Sequence, residues 1–367
     1  METTLNKEKF KSIQEIFEGI NLKMTFKKKR LVIILVVIFF IVSTIYSFLD
    51  KNETIVNVSF NPIKEDSCFQ INIKDKYYEI ERFGSGTSSK ITVISQYFEL
   101  NKSKHSRTEY LIWLRNLFLS VSSPLIIFTN SKNPFKDLIE ERIKRKYHTT
   151  LYITATIWNI MKENELIRNR NYTYSYQNKQ QLLDREKIIH NPNLYALWNL
   201  KSFICAKVAQ ENFYESSTFI YTDSGAFRSR VYEDWPDEEF VMQVKDHIQD
   251  KMLFGQLSDE KVMLKKQRFP DLDLIEGTFF MGTKKALLSF KEEFWRIHDK
   301  LFDEEKFVGK DQTLMNIYAF ANSSNSVKLK VWERLCTEEY DEWFFYQCYF
   351  AKQAFYSCSN PKMSLLS

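Results

Sequence analysis

From residue 90 onward, short apolar runs alternate with stretches whose apolar positions recur at helical spacing. KITVISQYFEL, Lys90 to Leu100, is a β-branched run bounded by turn residues and predicts a strand. In RTEYLIWLRNLFLSV, Arg107 to Val121, apolar residues fall at Tyr110, Leu111, Leu114, Leu117, Phe118 and Val121, which predicts an amphipathic helix. SPLIIFTN (Ser123 to Asn130) predicts a short buried strand, PFKDLIEERIKRKY (Pro134 to Tyr147) a helix opened by proline, and TTLYITATI (Thr149 to Ile157) a third strand. This order predicts parallel pairing through right-handed crossovers. After a polar insertion around residues 162–187, a helix over Ala196 to Asn212 leads into the strand STFIYTD. Later come a strand over Asp273 to Gly282, a helix over Lys284 to Phe302 and a helix opened by the loop GKDQ at Gly309. Residues 50–90 are polar and end in FGSGTSSK, which reads as a stem and linker, although INIKDKYYEI (Ile71 to Ile80) alternates enough for a small strand.

One run has a different pattern. LVIILVVIFFIVSTIYSFL, Leu31 to Leu49, carries no charge. At 1.5 Å per residue it spans about 28 Å, close to a bilayer's hydrocarbon core. It reads as a membrane-spanning helix, too long and too deep in the chain for a cleaved signal peptide. KKKR (Lys27 to Arg30) precedes it, whereas Asp50, Lys51, Asn52 and Glu53 follow, so the positive-inside bias puts the N-terminus in the cytosol. The expected organisation is a cytosolic tail (1–30), a signal anchor (31–49), a stem (50–89) and a lumenal domain (90–367). That is a single-pass type II protein of the Golgi or endoplasmic reticulum membrane. The acceptors Asn52, Asn57, Asn101, Asn171 and Asn322 all fall on the lumenal side, as do all five cysteines, where disulfides are permitted.

The net charge of +5 changes the picture little, because residues 1–30 hold eight Lys/Arg against four acids and so carry most of it. The remainder is nearly neutral, and nucleic-acid binding loses its main electrostatic support. The sequence contains no Walker loop, GxGxxG, HExxH or GxSxG. Its five histidines, His105, His148, His190, His247 and His298, have no Ser or Cys neighbour that suggests a triad hydrolase.

Three clusters remain as candidate chemistry. FIYTDSGAFRSR ends a strand on Asp223 and then supplies Arg228 and Arg230, a carboxylate able to hold a divalent ion and cations able to meet phosphate. EGTFFMG sets Gly277 in an aromatic strand, where close backbone approach suits a sugar or acceptor platform. Asp311 and Gln312 at a helix start would place a carboxylate and an amide over a pocket. Each also has a plain reading: a turn, a packed strand, an N-cap. In open α/β sheets, ligands gather at the carboxyl ends of strands and at helix N-termini, and Asp223 stands at such an end.

The run ITVISQYFELNKSKHSRTEYLIWLRNLFLSVSSPLIIFTN, then LWNLKSFICAKVAQENFYESSTFIYTDSGAFRSR, then EGTFFMG and GKDQTLMN, resembles the HtrL/YibB family. That family is in turn similar to nucleotide-sugar-dependent glycosyltransferases of the GT-A fold. The resemblance covers Lys90 to Phe320, most specifically Trp198 to Lys201, Tyr221 to Arg228 and the Asp-Gln pair. It implies an α/β, GT-A-like fold with a mixed, mostly parallel sheet flanked by helices. It places Asp223 at the metal and diphosphate corner, with manganese or magnesium as cofactor, and makes Lys201 and Arg228 phosphate-facing cations. Asp311, beside Gln312, becomes the catalytic or acceptor-binding carboxylate. One departure matters: such enzymes usually show Asp-x-Asp, and here the corner reads Asp223-Ser224-Gly225. The literal Asp271-Leu272-Asp273 precedes a strand rather than ending one and reads as a loop.

The expectation is a lumenal transferase that moves a sugar from a nucleotide sugar to a hydroxyl of a glycan or protein acceptor. Two other readings stand beside it: a catalytically inactive lumenal module that binds glycans or a protein, and an anchor for a cytosolic partner of the N-terminal tail.

Overall fold

The computed structural model describes residues 59–62, 69–84, 88–100, 104–164, 179–260, 272–321, 323–333, 341–352 and 362–367. The chain divides into Met1–Ile55 and Val56–Ser367, and every described residue belongs to the second unit. The apolar run Leu31 to Leu49, the five glycosylation acceptors and Cys68, Cys336 and Cys358 lie outside the described residues. Among the described residues no helix is long and apolar enough to cross a membrane.

In chain order the elements are β1 (Ser59–Pro62), β2 (Phe69–Lys74), β3 (Glu79–Phe83), β4 (Ile91–Tyr97), α1 (Arg107–Ser120), β5 (Leu125–Thr129), α2 (Lys136–Lys144), β6 (Thr149–Ile153), α3 (Ile157–Glu163), α4 (Pro192–Glu211), β7 (Thr218–Thr222), α5 (Glu238–Ile248), β8 (Met252–Gln256), β9 (Ile275–Gly282), α6 (Lys284–Asp303), α7 (Asp311–Ala321), β10 (Ser326–Lys330) and α8 (Phe345–Tyr349). The strands form one sheet in the order β1-β2-β3-β6-β5-β4-β7-β9-β8-β10. β4, β5, β6 and β7 pair in parallel, as do β8 and β10. β9 runs antiparallel to both β7 and β8, so β8 and β10 point the same way as the β4 group. β3 is antiparallel to β6 and carries the β1-β2 edge. The sheet is therefore mixed, with most of its described strands pointing one way and helices on its two faces.

Local chemistry explains the helix boundaries. α4 begins at Pro192, earlier than the apolar pattern predicts, because the Asn191 side chain caps it by accepting from the Leu194 N–H and proline fits the first turn. β6 stops at Ile153, and the last part of the expected strand becomes the start of α3 behind Thr156. α1 starts from a capping box, in which Ser106 accepts from the Glu109 N–H and the Glu109 side chain accepts in return. β3, in the segment read as stem, lies alongside β6 as part of the main sheet.

Alternation sorts the strand side chains onto two cores. Ile94, Phe128 and Tyr221 pack with Leu200, Phe290 and Leu314 of α4, α6 and α7. Val93, Ile127 and Ile220 pack with Phe118, Ile139 and Val244 of α1, α2 and α5 on the other face. Fully burying each such side chain contributes about 1.5–3 kcal/mol relative to leaving it in water. Buried on both faces, the central strands read as continuous apolar runs, as parallel strands covered by helices must. Cys205 is a buried thiol in α4, and burial pushes its pKa well up. Cys348 is buried in α8, its sulfur 3.2 Å from the Tyr232 hydroxyl.

Candidate functional site

The chain runs outward from β4 to β5 and β6 and then crosses back to β7 on the other side of β4, so the strand order reverses there. Such a switch point opens a crevice outside the carboxyl ends of the strands. A cleft of about 960 Å³ occupies this position, lined by residues that follow β4 and β7, by one face of α4 and by the start of α7.

Leu194, Trp198 and Lys201 recur at helical spacing and bring α4 to the cleft floor. Lys201 is 2% exposed. Its ammonium lies 3.2 Å from Asp223 Oδ1 and 2.9 Å from Asp311 Oδ2, and donates to the Gly277 carbonyl at 2.6 Å. Asp223 follows the last residue of β7, and its N–H donates to the Thr278 carbonyl of β9, which holds the strand end against Gly277. Two residues earlier on the same side of β7, the Tyr221 hydroxyl donates to Asp223 Oδ1 at 2.7 Å. Gln96 of β4 in turn donates to the Tyr221 oxygen at 3.2 Å and to the Leu197 carbonyl at 2.7 Å.

Asp311 opens α7 and is 3% exposed. Its Oδ1 accepts the Gln312 N–H at 2.9 Å, while the Gln312 side chain donates to the Ile275 carbonyl at 2.8 Å. This approach needs a glycine at 277: a Cβ there would sit 3.1 Å from Gln312 Cγ and 3.2 Å from both Asp311 carboxylate oxygens. The glycine that the sequence marks as a platform therefore lets the start of α7 close onto β9.

The electrostatics follow from burial. Desolvation alone lowers the pKa of an ammonium, but Asp223 and Asp311 outweigh it and hold Lys201 above the ordinary lysine value. Burial raises Asp311, and Lys201 pulls it partly back. Tyr221 is pushed well up, by burial first and then by Asp223, so it keeps the proton that it donates. Glu276 is fully buried next to Gly277 with no cation partner among the described residues, and desolvation raises it well above the carboxylate range. Thr278 donates to its Oε2 at 3.1 Å, and Oε1 has no hydrogen-bond partner.

Arg228 lies on the wall, apart from this trio. Its guanidinium centre is 4.5 Å from the Trp113 ring and 4.6 Å from the Phe344 ring, and its Nε donates to the Gly225 carbonyl at 3.0 Å. The aromatic faces fix the plane of an exposed cation that lines the cleft. Of the seven residues singled out in the sequence, Lys201, Asp223, Gly277, Asp311 and Gln312 are thus linked by direct contact or adjacency, Arg228 shares their cleft, and Arg230 does not line it. Asp273, from the Asp-Leu-Asp read as a loop, pairs with Lys310 at 2.9 Å. Sequence reasoning missed Tyr221 and Gln96, although the alternation of β7 puts residues 221 and 223 on one side. It also passed over Asp184 and His190, which lie 3.0 Å apart with His190 at the cleft edge.

The expected manganese or magnesium meets few donors. Asp223 commits Oδ1 to Tyr221 and Lys201, which leaves Oδ2, and Asp311 faces the same ammonium. Among the described residues no three His, Cys, Asp or Glu side chains are grouped to hold an ion. An ammonium stands between the two carboxylates where an ion held by the protein would need them, so the donor set does not fit a resident metal.

The elements and cleft define a mixed α/β protein with a polar, strand-end site. No family model matches the chain, so the HtrL/YibB resemblance gains no support from that comparison. No curated protein matches it either. Among solved structures, the chain is similar to 4-diphosphocytidyl-2C-methyl-D-erythritol synthase from Anaerococcus prevotii, at 12% identity and a TM-score of 0.28, over 65% of this chain and 86% of that one.

Proposed function

We propose that this chain is a glycosyltransferase that moves a sugar from a nucleotide sugar to a hydroxyl of a glycan or protein acceptor, as the HtrL/YibB and GT-A resemblance implies, from a Golgi or endoplasmic reticulum membrane. One observation carries the reading: buried Lys201 ties Asp223, at the carboxyl end of β7, to Asp311, at the start of α7, on the floor of a switch-point cleft. The cleft volume suits a small-molecule ligand, and its polar groups converge at one point.

In this reading the cleft brings the acceptor oxygen in line with the anomeric carbon, and that orientation supplies much of the rate. Negative charge grows on the departing diphosphate. Arg228 meets it from the wall, its plane fixed by aromatic faces before the reaction begins, while Lys201, whose ammonium is engaged by Asp223, Asp311 and the Gly277 carbonyl, adds its positive charge from beneath the floor. Asp223 offers its outward oxygen to hydroxyls of the donor sugar. Asp311, with one oxygen on the Gln312 N–H and the other on Lys201, positions the lysine. No step is routed through a metal ion.

The full-length chain assayed for nucleotide release from UDP-, GDP- and CMP-sugars tests the reading. Turnover should fall by about two orders of magnitude or more in Asp223→Asn and by a smaller factor in Asp311→Asn, with the far-UV spectrum unchanged. Undiminished turnover in both variants would sink the assignment of the site. The single carboxylate at the strand end, already held by an ammonium, favours a second reading, an inactive binding module. Stabilisation by nucleotide sugars or glycans without turnover would select it.

A further inference from the structure

We infer that His190, held by Asp184, is the group that takes the proton from the acceptor hydroxyl; this deepens the transferase reading and rests on it. Asp184 is a buried carboxylate with three contacts. Oδ1 accepts the Glu186 N–H at 2.8 Å, and Oδ2 accepts the Tyr195 hydroxyl at 2.6 Å and lies 3.0 Å from His190 Nδ1. Burial and the neighbouring Asp184 raise Tyr195 far above the ordinary phenol value, so Tyr195 is the donor in that pair. A carboxylate only accepts, so the contact with His190 requires a proton on Nδ1. The neutral ring then carries its lone pair on Nε2, the tautomer that a base needs.

The ring is also fixed in orientation. It stands edge-on to Trp198, with centroids 5.1 Å apart, and to Tyr195 at 6.5 Å. Trp198 lies on the cleft face of α4, one turn before Lys201, so the fixed imidazole and the buried ammonium open into the same cleft. The other candidates are committed elsewhere. Asp311 has one oxygen on the Gln312 N–H and the other, which accepts no hydrogen bond, in an ion pair 2.9 Å from the Lys201 ammonium that holds it charged, Asp223 shares one oxygen between Tyr221 and Lys201, and His105 packs against Trp113. A base fixed by a third group and facing the reaction space is the recurring design for activating a hydroxyl.

The step balances as follows. The acceptor O–H proton passes to Nε2 while its oxygen bonds to the anomeric carbon. The electron pair of the broken bond leaves on a diphosphate oxygen, and the imidazolium beside Asp184 later gives its proton to water. A single displacement of this kind inverts the anomeric configuration.

The full-length chain is assayed with UDP-glucose, UDP-galactose, UDP-N-acetylglucosamine and GDP-mannose, with donor binding followed separately by equilibrium dialysis. His190→Gln should lower kcat about 10²–10⁴-fold and leave the donor Kd within threefold. Asp184→Asn, which keeps a contact but favours the wrong tautomer, should lower kcat by a smaller factor, and imidazole in the buffer should restore part of the activity of His190→Gly. His247→Gln, exposed on α5 away from the cleft lining, should stay within threefold. Wild-type transfer with His190→Gln unimpaired, or impaired only through donor binding, overturns the base role and spares the transferase reading. A wild-type chain that binds and turns over none of the four donors overturns both.

Discussion

Two lysines six residues apart on α4 are built into nearly the same surroundings. Lys201 contacts Asp223 and Asp311 and lies over the Tyr221 ring at 5.4 Å. Lys207 contacts Glu163 and Glu211, at 2.9 and 2.7 Å, and lies over the Tyr78 ring at 5.1 Å. In each case burial lowers the ammonium's pKa and two carboxylates more than restore it. Tyrosines close both clusters, Tyr221 donating to Asp223, Tyr78 to Glu163 and Tyr152 to Glu211. What differs is the address. The carboxylates of Lys207 come from its own helix and from the end of α3, whereas those of Lys201 come from a strand end and a helix start at the switch point. A buried lysine between carboxylates is therefore no mark of function by itself; its place over the carboxyl ends of the strands is.

Removing each ammonium in turn breaks or upholds this contrast. Lys201→Met leaves the buried Asp311 and the half-buried Asp223 facing each other without a cation, and about 3–5 kcal/mol of stability should be lost in denaturant unfolding at pH 7, together with turnover. Lys207→Met strands two carboxylates that water reaches more easily, and about 1–2 kcal/mol should be lost with turnover kept. Equal losses of turnover would erase the distinction between the clusters.

Glu276 sharpens the comparison, since it is a buried carboxyl beside the same site that has no lysine. Its pKa is raised on folding, so the native chain holds a proton that the unfolded chain releases above the ordinary carboxylate range. Stability from this group is greatest below that range and declines as pH rises through it, by at most about 1.4 kcal/mol per pH unit. Glu276→Gln should therefore gain on wild type in thermal unfolding as pH rises above the ordinary carboxylate range. A gap that does not change with pH would mean that Glu276 is ionised in the native state.

The smallest expected effect lies on the wall. Arg228→Lys keeps the charge but loses the flat stack between Trp113 and Phe344, worth about 0.5–1 kcal/mol at an exposed position. A several-fold rise in the donor's KM with kcat nearly unchanged is expected, measured on the same nucleotide-sugar panel.

The two clusters also mark how far the sequence could be read. Glu211 stands four residues after Lys207, a spacing that helical periodicity makes visible. The partners of Lys201 are 22 and 110 residues away along the chain, and strand-end logic with a family resemblance brought them together where periodicity could not. The central strands were legible because both of their faces are apolar. The antiparallel direction of β9 was not, since an apolar run carries no direction, and β8 and β10 do not stand out because Gly255 interrupts the first and lysines alternate through the second. His190 was passed over because a Ser or Cys partner was sought, while its partner is Asp184, six residues upstream across a turn.

Gly255 of β8 gives Glu276 its room. A Cβ at that position would fall 1.9 Å from Glu276 Oε1 and 2.5 Å from its carboxyl carbon. The two positions on neighbouring strands therefore behave as one unit of inheritance. Adding a methyl group at 255 is tolerable only after 276 has shrunk, so the order in which two substitutions arrive decides whether a lineage can cross from one pair to the other, and a glycine in a strand with no ligand contact of its own becomes the gatekeeper of the residue beneath the cleft.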